Sequence, residues 1–453
     1  MCKRDDLVGS SSASQHVCIV LSGLKDSPAS MNPATIALFA CAALAVSTSL
    51  RAQTPSPSPA PEVFESLPTL NASTILQPQY LSGPNFTVRD PVPTYSGSNQ
   101  YTVDSDYGVF TADGNAMLMR RVAEIQGIAA LQAMSQTTEF TQAAAQAAAR
   151  PLNVAQDLIT NPLPTIASVP RGILGFLNQA GQAVKNVAEG NDSGMGQGQL
   201  VENLSGFAKS KRDLALKLGV DPYCSNQAFQ SELSKVAWPA FLGKMAVGFG
   251  MGAIGGAAGA TIHGLDWTAT LQASLRDKSP GELRQMNLDL LTNNMGIAPD
   301  AANAFVNNSA ISPTTQTLTV AALSQLGNIP GQGEFILQAA NSQDEHDGLA
   351  VQQSAQIMAE LNNTSPITRI THLNGLTVCQ TNDGTVVVPI QWDYVAWTPM
   401  AERFITALKA TTFHPAPTGY LVAITGVVSP MAGEALTARG IKFSEKQLPN
   451  PLK

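Results

Sequence analysis

The feature that most constrains this chain is a stripe of small residues in one uncharged segment. Residues 245–262 carry no charge and include six glycines and five alanines. Small residues recur at every fourth position, at Gly248, Gly252, Gly256, Ala260 and Gly264. Residues four apart share one face of an α-helix, and each glycine costs a helix about 0.5–1 kcal/mol relative to alanine. We therefore expect a helix whose bare face lets another backbone approach closely.

The striped segment has two interpretations. Its eighteen residues would span about 27 Å as a helix, against a hydrocarbon thickness of about 30 Å, so it is almost long enough to cross a membrane. Glycine and alanine add little insertion energy, however, which favours a helix buried within the protein. The stripe resembles the glycine-zipper segments of some bacterial envelope proteins. That resemblance implies self-association, or contact with membrane lipid, through residues 245–264.

The N-terminus is typical of an export leader. Residues 34–46 are almost wholly apolar and too short for a comfortable membrane span. Small residues around Ala52 predict a cleavage site, so residues 1–52 are expected to be a signal peptide. The sequence leaves open whether translation starts at Met1 or Met31, and whether Cys41 carries a lipid. We expect an exported protein of a bacterial periplasm or outer envelope.

The charge and the motifs argue against several classes of partner. The net charge is −7 and only 13% of residues are charged, so no basic surface is expected for nucleic acid. Gly250, Gly252 and Gly255 match the letters of a dinucleotide-binding fingerprint, but a helical segment precedes them where that motif requires a strand. We therefore expect no nucleic-acid partner and no cofactor, and the small-molecule ligand stays unknown.

Changes in residue pattern divide the rest of the chain into four parts. They are a Pro/Ser-rich tether (53–68), an extended segment with short strands (69–113), a helical domain (114–363) and a small α/β domain (365–453). Asn115 is expected to cap the first long helix, which should run to about Ala149. Asp383 and Gly384 form the turn of a β-hairpin in the last part. The predicted fold class is mainly α, a multi-helical domain with a glycine-striped central helix, plus the small α/β domain.

Candidate catalytic residues are few. None of the metalloprotease, dithiol or serine-hydrolase motifs H-E-x-x-H, C-x-x-C and G-x-S-x-G occurs. Asp393 follows the predicted hairpin, and together with His372 and Cys379 it forms the best available catalytic set. The competing interpretation is that Asp393 caps a turn. Residues 344–347 combine three carboxylates with an imidazole, which favours the charged start of a helix over a metal site, so we expect no metal.

The sequence does not identify a reaction. Without the leader only Cys224 and Cys379 remain, either as a disulfide or as two buried thiols. The first hypothesis is an envelope-associated, non-enzymatic binding or scaffold protein. The second is a periplasmic hydrolase with its site in the C-terminal α/β domain. The third is a secreted pore-forming or effector protein, which the lack of a second hydrophobic hairpin arm makes the weakest.

Overall fold

Three sheets and a set of helices make up the part of the chain that a computed structural model describes, residues 63–148, 197–242 and 269–453. The strands are β1 (Thr69–Leu70), β2 (Ser82–Gly83), β3 (Phe86–Val88), β4 (Val92–Tyr95), β5 (Ser98–Ser105), β6 (Gly108–Asp113), β7 (Ile367–Leu373), β8 (Leu376–Thr381), β9 (Thr385–Ile390), β10 (Tyr394–Val395), β11 (Gly419–Ile424), β12 (Val427–Val428) and β13 (Lys442–Ser444).

The helices of the described residues mostly follow one another between β6 and β7. They are α1 (Ala72–Ile75), α2 (Pro78–Leu81), α3 (Asn115–Ser135), α4 (Thr138–Ala148), α5 (Gln197–Lys217), α6 (Gln227–Leu242), α7 (Ala269–Asp277), α8 (Pro280–Asp289), α9 (Pro299–Val306), α10 (Pro313–Ser324), α11 (Gln332–Ala339), α12 (Glu345–Asn362), α13 (Pro399–Ala410) and α14 (Pro430–Ala438). A π-helical turn, Leu290–Asn294, extends α8.

The first sheet is antiparallel and has its longest strand, β5, at its centre. The strand order is β1-β4-β5-β3-β2, and β6 pairs with β5 along its other edge. The buried side chains of Tyr101 and Val103 on β5 pack in one core with Leu118 and Val122 of α3. Because a strand presents alternate residues to one face, Tyr101 and Val103 lie on the same side of β5, where both share a core with α3.

The prediction of a mainly α protein is wrong. The structure is about 50% helical and 20% strand, with three multi-strand sheets between residues 69 and 444, and is a mixed α/β fold. The extended segment 69–113 contributes a six-stranded sheet. Its strands lack clear apolar alternation because β5 begins with buried polar residues, Ser98 and Asn99. Hydrogen bonds within the sheet, such as that from Thr94 Oγ1 to Asn99 Oδ1 at 3.0 Å, offset the cost of burying these polar side chains. A hydropathy pattern contains no information about such bonds.

The second large sheet has the order β13-β11-β9-β8-β7, in which β13, β11 and β9 are parallel and β9, β8 and β7 are antiparallel. The hairpin predicted around Asp383 and Gly384 is confirmed as β8 and β9. Val387 packs toward α10 and α12, whereas Val386 and Val388 pack toward α13 and α14. Both faces are covered, which explains why the chain is almost uninterruptedly apolar along β9.

Two helix starts can be traced to their sequences. At the start of α8, a capping box forms in which the Ser279 side chain exchanges hydrogen bonds with Glu282. The long helix begins near Asn115 as predicted, but Gly114 is its N-cap and Asn115 is its first residue. The expected run to about Ala149 is interrupted, since α3 ends at Ser135 and α4 begins at Thr138.

A close crossing by a glycine does occur, in α3. A Cβ atom built on Gly127 would lie 2.8 Å from Cε2 of Phe229 and 3.0 Å from Cγ2 of Val220. Phe229 is fully buried, in a core shared by α3, α5 and α6. The missing side chain therefore lets α6 lie directly against α3.

Several predictions concern residues outside the described ranges. These are the signal peptide (1–52), most of the tether (53–62) and the stripe at Gly248, Gly252, Gly256, Ala260 and Gly264. Within the described ranges, no helix has both the length and the hydrophobicity needed to cross a membrane.

Candidate functional site

A cavity lies between the second large sheet and the helices α11 and α12. Its volume is about 250 Å³. His372 and Leu376 line it from the β7–β8 hairpin, Phe335 from α11, and Asp347 and Ser354 from α12. Half of its lining residues are polar, so the cavity offers a small molecule both apolar surface and hydrogen-bonding groups.

His372 contributes the most unusual chemistry. Its ring stacks on Phe335 with centroids 6.3 Å apart and planes 23° apart. Both ring nitrogens, Nδ1 and Nε2, are buried and have no hydrogen-bond partner. Burial lowers the pKa of His372, and the nearby charge of Glu334 opposes this only in part. The ring is therefore neutral at pH 7 and offers one donor and one acceptor, both unused.

The complete lack of partners sets His372 apart from the other buried polar side chains that the structure describes. Single atoms without partners occur on Asn115 (Nδ2), Arg120 (Nη1) and Asn287 (Oδ1). Asn115 accepts from Tyr101 at 2.6 Å, Asn287 donates to Thr317 at 3.0 Å, and Arg120 lies 3.8 Å from Glu345. Each of these side chains thus keeps at least one polar interaction. His372 keeps none, and each unsatisfied buried group costs about 1–3 kcal/mol.

Other polar groups of the cavity are held in place by hydrogen bonds. The Ser354 hydroxyl lies 3.1 Å from the carbonyl oxygen of Pro389 and 3.0 Å from Oε1 of Gln391. A hydroxyl has one proton to donate, so these two oxygens share it. The Asp347 carboxylate accepts the backbone N–H of Gln343 through Oδ2 at 2.8 Å. The cavity wall is therefore largely preorganised.

Asp344, His346 and Asp347 form a cluster where α12 begins, as the sequence predicted. Asp344 is the N-cap of α12, and its Oδ1 accepts the backbone N–H of Asp347 at 2.9 Å. One ligand-type atom from each of the three residues lies within 4.8 Å of the others. The capping bonds account for both carboxylates, which are stabilised by the positive end of the helix dipole.

Asp393 lies in a different place, at the junction between the two large sheets. Its Oδ2 accepts the backbone N–H of Asn99 at 2.9 Å and that of Asn115 at 3.0 Å. The pKa of Asp393 is raised to about 7, mainly by burial and also by the charge of Asp113, although the two backbone N–H bonds lower it. Asp393 therefore joins the start of β5 to the start of α3, and it supplies the acceptor that the N-cap Gly114 lacks.

A histidine and a serine stand beside this junction. Nε2 of His346 is 2.9 Å from Oγ of Ser98 and 3.6 Å from Oδ1 of Asp113. In a catalytic triad the serine and the carboxylate engage opposite nitrogens of the ring. Here both address the same nitrogen, so Asp113 competes with Ser98 and does not orient the imidazole for it.

Five charged residues form a second polar cluster, beside a cavity of about 40 Å³. Arg121 lies 2.8 Å from Glu124 and 3.2 Å from Glu345, and Arg120 lies 3.9 Å from Asp221. Burial raises the pKa of both Glu124 and Asp221. The charges compensate one another within the protein, which gives this cluster a structural role between α3 and α12.

The structure does not bring the three predicted catalytic residues together. His372 lines the cavity, Asp393 bridges β5 and α3, and Cys379 is buried in the core on the face of the sheet toward α12. Burial raises the pKa of Cys379 to about 12, so its thiol is protonated and unreactive. Cys224 and Cys379 are both free. No hydrogen bond among the described residues links Asp393, His372 and Cys379.

Comparison of the chain with protein-family models, with curated proteins and with solved structures gives no match.

Proposed function

We propose that the protein is a non-enzymatic binding protein that takes a small molecule into the His372 cavity. The observations that carry this proposal are a cavity of about 250 Å³ and, in its wall, an imidazole whose two nitrogens have no hydrogen-bond partner. Both nitrogens are buried, so a ligand pairs with them only when the ring turns, and it then satisfies a donor and an acceptor that the protein leaves unpaired. The apolar wall residues then supply burial for the rest of the ligand.

The geometry favours binding over the alternative of a hydrolase. A hydrolase at Asp393 needs a base or nucleophile within hydrogen-bond reach of its carboxylate. The partners of that carboxylate are two backbone N–H groups. Ser354, a hydroxyl of the cavity, is held by Pro389 and Gln391, and no imidazole is bonded to it. These arrangements hold side chains in place and activate no nucleophile.

Export and the envelope belong to the same proposal and are supported by the sequence alone. The leader (1–52) and the tether (53–68) would place the binding unit outside the cytoplasm of a bacterium, with self-association or lipid contact through residues 245–264. Fractionation of the expressed protein, with high-salt and carbonate washes of the membrane pellet, tests this. Retention in the pellet supports contact with lipid, whereas full solubility of the processed chain contradicts that contact and leaves export standing.

Binding in the cavity is tested by NMR on the full chain with isotope-labelled histidines. The chain has five histidines, and the spectrum of H372F assigns the His372 signals. A mixture of small neutral, cationic and anionic organic fragments is added. We expect at least one fragment to shift the His372 ring signals and to lose its affinity for H372F.

The matched control is H414F, which replaces an exposed histidine outside the cavity. This variant should bind the fragments as the unmodified chain does. If no fragment moves the His372 signals, or if the fragments bind H372F equally well, the proposed binding function is refuted.

A further inference from the structure

The charges around the His372 cavity are of one sign. Asp347 is the only charged residue in the cavity lining. Two further carboxylates stand close by: Asp344 lies beside Asp347 at the start of α12, and Glu334 acts electrostatically on His372. No lysine or arginine lines the cavity. An anionic ligand would meet repulsion without compensation there, and a cation would be attracted.

Asp347 also has room to accept another hydrogen bond. Its Oδ2 accepts from the backbone of Gln343, and a carboxylate has about four acceptor positions in total. Hydrogen bonds between an ammonium group and a carboxylate are about twice as strong as neutral ones.

The rest of the cavity suits an apolar body. Val351, Leu376 and Ile390 line it together with the prolyl ring of Pro389. A ligand that presents only polar groups would leave these walls without partners, whereas a compact hydrocarbon portion would bury against them.

We propose that the His372 cavity selects a small organic cation, a primary ammonium group carried on a compact apolar body. The ammonium group donates to the Asp347 carboxylate, and the apolar body packs against Leu376 and Ile390 beside the His372 ring. This inference rests on the proposed binding function and adds the chemical class of the ligand.

The test compares three probes that share one ring and differ in charge: benzylamine, benzyl alcohol and benzoate. Titration calorimetry and the His372 NMR signals are measured on the full, unmodified chain at neutral pH. We expect benzylamine to bind at least about tenfold more tightly than benzyl alcohol, which is the effect of about 1.4 kcal/mol. Benzoate should bind most weakly. Because no variant is needed, a folding defect cannot produce this result.

Two variants then assign the preference to its residue. D347N keeps an oxygen that can accept from Gln343 but removes the charge, so benzylamine should lose its advantage. D344N is the matched control, because it removes a neighbouring charge from outside the cavity lining, and it should retain most of the preference.

The outcomes separate this inference from the proposed function. If benzyl alcohol or benzoate binds as tightly as benzylamine, or if D347N keeps the preference, selection of a cation is refuted while binding in the cavity stands. If none of the three probes moves the His372 signals, selection of an apolar amine is refuted, and the broader fragment mixture decides the proposed function separately.

Discussion

Burial and hydrogen bonding have opposite effects on the pKa of Asp393, and their balance gives a testable prediction. Its carboxylate is buried, which disfavours the charged form, while two backbone N–H groups favour it. Burial has the larger effect, and the pKa rises from 3.8 to about 7. A difference of that size corresponds to about 4 kcal/mol between the two protonation states.

The sign of the pH effect follows from this raised pKa. Between about pH 4 and pH 7 the folded protein holds the Asp393 proton, and the unfolded chain has released it. The contribution of the Asp393 proton to stability is therefore complete below pH 3.8, the pKa in the unfolded chain. It is lost as the pH rises to about 7, the pKa in the folded protein. D393N keeps a carbonyl oxygen for the two N–H groups and cannot ionise. We expect it to exceed the unmodified chain in stability at pH 8 by up to about 4 kcal/mol and to match it near pH 4.

The assay is urea unfolding followed by tryptophan fluorescence, repeated across this pH range for both chains. Only the difference between them is interpreted, since Glu124 and Asp221 also titrate with raised pKa values in both. The control is D383N. Hydrogen bonds from Thr381 and Thr385 lower the pKa of Asp383, so its contribution is present at neutral pH and lost in acid, the opposite sign. A flat difference between D393N and the unmodified chain would refute the reasoning, because it would mean that the carboxylate is charged at neutral pH.

Three further predictions follow from single contacts. H372F should raise the free energy of unfolding by about 1–3 kcal/mol in urea, because it removes two unsatisfied buried nitrogens; a loss of stability would mean that these nitrogens have partners. G127A should lower stability by about 1–2 kcal/mol because its Cβ would collide with Phe229, whereas G281A, which meets no atom within 4 Å, should be neutral or gain about 0.5 kcal/mol. In a chain with Cys2, Cys18 and Cys41 replaced by serine, Cys224 and Cys379 should react with a thiol reagent only after unfolding, since burial raises the pKa of both; rapid labelling of the native protein would contradict this.

Local structure was predictable wherever one short segment decides it. The hairpin turn at Asp383 and Gly384 requires a positive φ, which Gly384 adopts at 85°, and Ser279 with Glu282 contains a complete helix start. Short strands were predicted in residues 69–113 but not the six-stranded sheet that they form, because its core positions include Ser98 and Asn99. Periodicity registers apolar side chains, and here buried hydrogen bonds stabilise the strand instead.

The candidate site was only partly predictable, because the sequence does not show which polar groups find hydrogen-bond partners in the fold. The sequence singled out both Asp393 and His372. A carboxylate or an imidazole near a predicted hairpin looks the same in the sequence whether its role is structural or functional. The fold gives Asp393 two backbone donors, as a structural residue requires. It gives His372 none, and it places that ring on the wall of a cavity. Sequences that fold well avoid unsatisfied buried polar groups, and exceptions concentrate where function requires them. Since Phe335, Asp347 and His372 come from three separate elements, only the folded chain distinguishes the structural carboxylate from the imidazole that is available to a ligand.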